Sequence, residues 1–183
     1  MTKIGIICGS LRKNALSGAA ARAAVGLMPD GVQPVTLPSF GDLPIYNQDI
    51  QDQGMPDTVN AYAEAVAAVD AVLFVTPEYN WSVPGGLKNA IDWLSRLSPH
   101  PLDGKPAAIW SVSPGLLGGA RVHEGLRHVL HSQGMIIMAK PEVQIAGAKG
   151  KLDVDLGTVT QDDTRAFLAS HLSTFAQFCA GRS

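Results

Sequence analysis

The chain has 183 residues, 46% of them apolar, with 14 Lys plus Arg against 16 Asp plus Glu and a formal net charge of -2. That size suits one domain with a sizeable core, and the near-neutral balance gives no electrostatic reason to expect nucleic acid or an anionic membrane as partner, which leaves small molecules. Cys8 and Cys179 lack metal-ligand or CxxC spacing, and the start runs directly into "KIGIIC" with no leader-like segment or membrane-length apolar run, so buried thiols and a cytoplasmic location are expected.

Residues 3–8 read as the first strand, and four more apolar runs of strand length follow at 33–37, 71–76, 107–112 and 135–139. Segments of helical period lie between and after them, so β and α alternate. "AVLFV" and "MIIMA" are apolar at every position, as parallel strands covered on both faces require. The pattern predicts an α/β fold with a doubly wound sheet.

After the first strand, "CGSLRKNALSG" at residues 8–18 leads into a helix expected to begin near Ser17. Ligands of open parallel sheets bind beyond the carboxyl ends of the strands, where strand order reverses. Gly9, Ser10, Arg12, Asn14 and Ser17 offer amides, hydroxyls, a guanidinium and a positive helix end, all suited to a phosphate. An ordinary turn capped by Ser17 or Asn14, with Arg12 solvated, is the alternative. No G-x-G-x-x-G opens the helix and no G-x-x-x-x-G-K-[ST] occurs, which argues against a dinucleotide in a Rossmann crevice and against P-loop chemistry. The acidic residues of response regulators are also missing: Gly9-Ser10 and Thr76-Pro77 occupy their places.

The loop after the third strand begins at Pro77, is fixed again by Pro84, and passes through Gly85 and Gly86 into a helix expected from Leu87. Rigid backbone suits a planar heteroaromatic ring, with Tyr79, Asn80 and Trp81 beside it; a plain surface turn is the alternative. The stripe Leu87, Ala90, Ile91 and Leu94 faces the sheet, while Trp93 and Leu97 fall on its flank and are expected at a subunit interface. Val122, Leu126, Val129 and Leu130 repeat the stripe, as do Phe167, Leu168, His171, Leu172 and Phe175. His123, His128 and His131 share one helix without the partners that a metal needs, so no metal is expected and the three are assigned to a solvated or subunit-facing surface. Residues 140–161, rich in Gly and Lys, read as an excursion placed at an interface.

Together "GSLR" ending at Arg12, "PEYNWSVPGGLKNAIDWLSR" at 77–96 and "SPGLLGGAR" at 113–121 resemble the NADPH-dependent FMN reductase family, in particular its bacterial soluble quinone and chromate reductases. The resemblance covers most of the chain. It implies a flavodoxin-like three-layer sandwich of strand order 2-1-3-4-5, one domain over residues 1–183, with bound FMN and NADPH or NADH as co-substrate. It would give the phosphate to Ser10, Arg12 and Ser17, and lay Pro77, Glu78, Tyr79 and Asn80 along the isoalloxazine. Ser113 would approach the ring from the loop after the fourth strand, with Gly115 leaving room, and Tyr79 and Trp81 would form the floor and rim of the acceptor site. Hydride would pass through flavin N5 in ping-pong fashion to a quinone, azo compound, chromate or free flavin, with no catalytic side chain required. The resemblance also implies a homodimer or homotetramer.

One departure stands out. Where the family's first loop commonly reads serine, any residue, asparagine, this chain has Ala15, Leu16 and Ser17. Ala15 cannot donate to a phosphate, and a hydrogen bond to a charged group is worth about 1.5–3 kcal/mol, so FMN is expected to bind about tenfold or more weakly. Two other readings stay open at this point. A flavodoxin-like electron carrier is disfavoured by the charge of only -2, since such carriers are strongly acidic, and a cofactor-free scaffold is compatible with Ala15.

Overall fold

The computed structural model of the protein describes residues 1–181, and no helix among them is long and apolar enough to cross a membrane. Strands β1 (Thr2–Cys8), β2 (Val32–Thr36), β3 (Ala71–Thr76), β4 (Pro106–Val112) and β5 (Ile136–Ile137) form a parallel sheet of order β2-β1-β3-β4-β5. That is the order anticipated from the sequence. Neighbours along each strand point to opposite faces, and both faces are dry. Ile4, Ile6, Leu73, Val75, Ala108 and Trp110 enter one core, while Ile7, Val72, Phe74, Ala107 and Ile109 enter the other.

Helices α1 (Leu16–Gly26) and α6 (Asp162–Ala180) cover the first core. The second lies under α3 (Asp57–Ala67), α4 (Gly85–Leu94) and α5 (Ala120–Ser132), with a short α2 (Gln48–Asp52) capped by Asn47, whose Oδ1 accepts from the Asp49 amide at 2.9 Å. The stripe Leu87, Ala90, Ile91 and Leu94 is buried as expected, each large member contributing about 1.5–3 kcal/mol. α4 starts at Gly85 rather than at Leu87, because Pro84 at its N-cap already holds a φ compatible with helix entry.

Three expectations are corrected. Trp93 does not face a partner: it is fully buried, its Nε1–H donates to the Pro44 carbonyl at 2.7 Å, and its ring meets Tyr46 edge-to-face. The loop before α2 folds over the flank of α4, clamped by Asn89, which donates to Pro44 O and accepts from the Tyr46 amide. Leu97 is partly buried against the same core. His128 and His131 are exposed, but His123 is buried.

The third correction concerns the end of the sheet. The fifth strand is split: β5 pairs with the start of β4, whereas β6 (Val143–Ile145) pairs with its end, opposite Trp110 to Val112. Pro141, which has no N–H for a ladder, lies in the gap, and Arg127 donates to the Met138 and Ala139 carbonyls in place of a strand partner. Residues 140–161 then fold back onto their own chain. A 3-10 turn (Ala148–Gly150) and the antiparallel ribbon of β7 (Leu152–Asp153) and β8 (Thr158–Val159) bury Ala148, Leu152 and Val159 against residues of α1 and α6.

Candidate active site

Strand order reverses between β1 and β3, so the loops leaving their carboxyl ends diverge and open a crevice. The first wall is the β1 loop. Its Gly9 donates to Val75 O at 2.8 Å, and a Cβ there would sit 2.5 Å from Thr76 Oγ1, so only glycine lets the two strand ends approach this closely. Ser10 Oγ accepts from the Arg12 amide at 3.3 Å and lies 3.1 Å from the Tyr79 hydroxyl, linking the first wall to the second. α1 begins behind Ala15, whose backbone is extended; no side chain caps it and its first turn carries no acid. Its leading amides therefore keep their partial positive charge for something else. Ser17, almost fully buried, sits in that first turn, with the Cys8 thiol 3.8 Å from its hydroxyl.

The second wall is a two-residue hairpin. Tyr79 and Ser82 exchange both main-chain hydrogen bonds, at 3.1 and 2.9 Å, and the two residues between them are left-handed, Asn80 at φ 50° and Trp81 at φ 64°. Asparagine tolerates this region; tryptophan is strained there. Trp81 is 70% exposed and its ring is covered by the Arg121 guanidinium, 4.5 Å from the centroid. Glu78, expected beside the ring, turns its carboxylate elsewhere: Oε2 accepts from the Val122 amide at the start of α5 at 3.1 Å, and Oε1 lies 3.9 Å from Arg121. Its side chain fixes the hairpin to α5, while the residue still lines the cleft.

The third wall, the loop from Ser113 to Gly119, rests on a buried polar network. Ser111 Oγ donates to Gly118 O at 2.7 Å, and His123 Nε2 lies 3.0 Å from Ser111 Oγ and 3.1 Å from Val143 O. Because the Val143 carbonyl can only accept, Nε2 carries the proton, and the buried Nδ1 has no partner. Burial lowers the His123 pKa, against smaller opposing effects from the Val143 carbonyl and Glu142, so the ring is held neutral. Gly118, at φ +60°, leaves no room for a side chain: a Cβ would meet the Ala146 amide at 2.8 Å.

These walls enclose a cleft of about 410 Å³, within the range of small-molecule sites. Of the residues singled out from the sequence, Ser10, Arg12, Ser17, Pro77, Glu78, Tyr79 and Ser113 line it. Asn80, Trp81 and Gly115 do not; the first two form the hairpin tip and Gly115 sits behind Ser113, accepting from the Gly147 amide. Sequence reasoning missed Val112, Pro114 and Lys149 as lining residues. Apart from the Gly and Lys content of its segment, nothing local marks Lys149, because its position depends on β6 returning to β4. The residues fit FMN: two cations and an uncapped helix end for a phosphate, and prolines, Val112 and Tyr79 for a flat ring.

A larger depression of about 660 Å³ lies at the opposite end of the sheet, against Met1, Asp70, Asp103 and Lys105. Its position at the amino ends of the strands argues against it as the reaction site. Its lysine is also engaged: Lys105 Nζ donates to Val66 O at 2.7 Å and to Ala67 O at 3.0 Å at the end of α3, and to Val69 O.

A doubly wound sheet with a phosphate-suited cleft at its switch point defines a flavodoxin-like mononucleotide-binding class. Residues 2–150 match the family described as NADPH-dependent FMN reductase, and the chain belongs to that family. It is 44% identical over 173 residues, covering 94% of this chain and 92% of the relative, to a quinone reductase of Escherichia coli strain K12. It is 41% identical over 166 residues, 91% of this chain and 89% of the relative, to an NAD(P)H-dependent FMN reductase of Pseudomonas aeruginosa. The solved structure of FerB, a flavoenzyme NAD(P)H:(acceptor) oxidoreductase from Paracoccus denitrificans, superposes with a TM-score of 0.88 at 33% identity, covering 100% of this chain and 99% of that one.

Proposed function

We propose that the chain is an FMN-dependent NAD(P)H oxidoreductase that reduces quinones, and that azo compounds, chromate or free flavin can take a quinone's place as acceptor. The observation that carries this reading is one cleft uniting a cationic, amide-rich loop after β1 with a rigid aromatic hairpin after β3, the two joined by Ser10 and Tyr79. Bound FMN supplies hydride chemistry that no side chain of this chain can perform. Arg12, Ser17 and the leading amides of α1 hold the phosphate. Pro77 to Tyr79 fix the plane of the ring, and Ser113 and Pro114 close the third side. The amides of Asn80 and Trp81 at the hairpin tip would favour negative charge on the ring edge from the rim of the cleft. Tyr79 and Trp81 offer stacking faces to NAD(P)H and to the acceptor, which bind there in turn. Protons for the reduced acceptor come from solvent at this exposed rim, so no general acid is needed.

A homodimer or homotetramer in the cytoplasm belongs to the same proposal. Its support is the apolar loop beyond Ser113, where Leu116 is 96% exposed and Leu117 is exposed beside it. The test of function is direct: record the visible spectrum of the purified protein, add NADPH or NADH in air, then add a quinone. Yellow colour with pyridine-nucleotide oxidation that the quinone accelerates is expected. Colour without turnover would leave an electron carrier, and failure to take up flavin would leave a scaffold.

A further inference from the structure

We propose that Lys149 is a phosphate-binding residue of the cofactor cleft, supplied by the segment after β5 and compensating for the hydroxyl that Ala15 lacks. This rests on the FMN reading above and goes beyond the residues it names. Lys149 lines the same cleft as Arg12, Ala15 and Ser17, although it is far from them in sequence. Its backbone is fixed from two sides. The Gly147 amide donates to Gly115 O and the Ala148 amide to Ser113 O, each at 3.1 Å, while the Thr160 amide donates to Lys151 O at 2.9 Å. Ala148 is completely buried, and the β7–β8 ribbon beyond it packs on α1, with Arg22 Nη2 donating to Val154 O. The turn that carries Lys149 is therefore held by both the Ser113 loop and the helix whose first turn faces the cleft.

Charge completes the inference. Among the described residues, the side chains of Lys149 and Arg12 make no hydrogen bond or ion pair, and the one acid of the cleft wall, Glu78, is engaged with α5 and Arg121. Two unneutralised cations from different elements, beside uncapped helix amides, favour a dianionic group between them. Lysine suits this position because its flexible stem delivers a point charge without needing the planar geometry of arginine.

The experiment is a fluorescence-quenching titration of the full chain, freed of flavin, with FMN and separately with riboflavin, which has the same ring but no phosphate. Lys149→Ala is expected to weaken FMN binding about tenfold while leaving riboflavin binding unchanged, and Lys149→Arg to retain most of the FMN affinity. The FMN titration should also lose part of its salt dependence in the alanine variant. Equal weakening of both flavins, or an unchanged FMN affinity, overturns the assignment. So does a selective rise in KM for NADPH over NADH, which would place Lys149 on the co-substrate's 2′-phosphate instead. A wild-type chain that binds neither flavin would sink the FMN reading itself, an outcome distinct from the Lys149 results.

Discussion

Trp81 occupies the second central position of a left-handed hairpin turn, where glycine is the preferred residue. An L-residue in that region costs about 1–2 kcal/mol relative to glycine, while glycine loses about 0.5–1 kcal/mol more backbone entropy than alanine on folding. Trp81→Gly and Trp81→Ala both abolish the ring and its contact with Arg121, so those losses cancel in the comparison. The glycine variant should then be the more stable by about 0.5–1 kcal/mol, a Tm higher by about 1–4 °C for a domain of this length. At a position of ordinary φ the order would be reversed. Paired thermal unfolding, checked by urea midpoints, measures the difference. Both variants should also raise the KM for quinone, since each removes the same stacking face. An alanine variant as stable as the glycine variant, or more so, would refute the left-handed placement of Trp81.

Ala15→Ser adds a hydroxyl at an N-cap that lacks one, so FMN should bind roughly tenfold more tightly and the flavin-free protein should gain about 1 kcal/mol; equal or poorer FMN affinity defeats this view of the loop. His171, whose Nδ1 accepts from Trp110 Nε1 at 3.0 Å, has its pKa pushed down by burial from 6.5 to about 4, against the smaller pull of a hydrogen bond to the Pro141 backbone. Because the unfolded chain takes up a proton that the folded chain refuses, His171 contributes its full stability above pH 6.5 and loses about 3 kcal/mol as pH falls through 4. His171→Leu should lower stability at pH 7, and its gap to wild type should close between pH 6.5 and 4; urea midpoints across that range that keep the gap constant would contradict this. Gly9→Ala, with a Cβ 2.5 Å from Thr76 Oγ1, should cost about 1–3 kcal/mol in unfolding and weaken FMN and riboflavin alike, and an affinity loss confined to FMN would show that the two walls had not moved apart.

The strands were legible because a buried parallel strand is apolar on both faces, as at residues 71–75, and the order of the sheet followed from the resemblance. The α4 stripe and the phosphate-suited composition of the β1 loop were equally plain. What stayed hidden depends on contacts distant in sequence. Trp93 lies on the flank of its helix and is buried only because the loop through Pro44 folds over it. His123 sits on a helix face that looked polar, yet it reaches β4 and β6 beneath the Ser113 loop. The run at 135–139 continues as a strand only in its middle, since Pro141 and the carbonyls taken by Arg127 interrupt the pairing before β6 resumes it. That return brings Lys149 into the cleft. Trp81 gave no hint of a left-handed backbone, since tryptophan seldom adopts one.

Whether one riboflavin phosphate spans both loops can be seen directly in crystals grown with excess FMN. Density for the phosphate among Arg12, Ser17 and Lys149, with the ring laid along Pro77 to Tyr79, is the predicted result. A flavin bound elsewhere, or a cleft filled by its own side chains at saturating FMN, would contradict it.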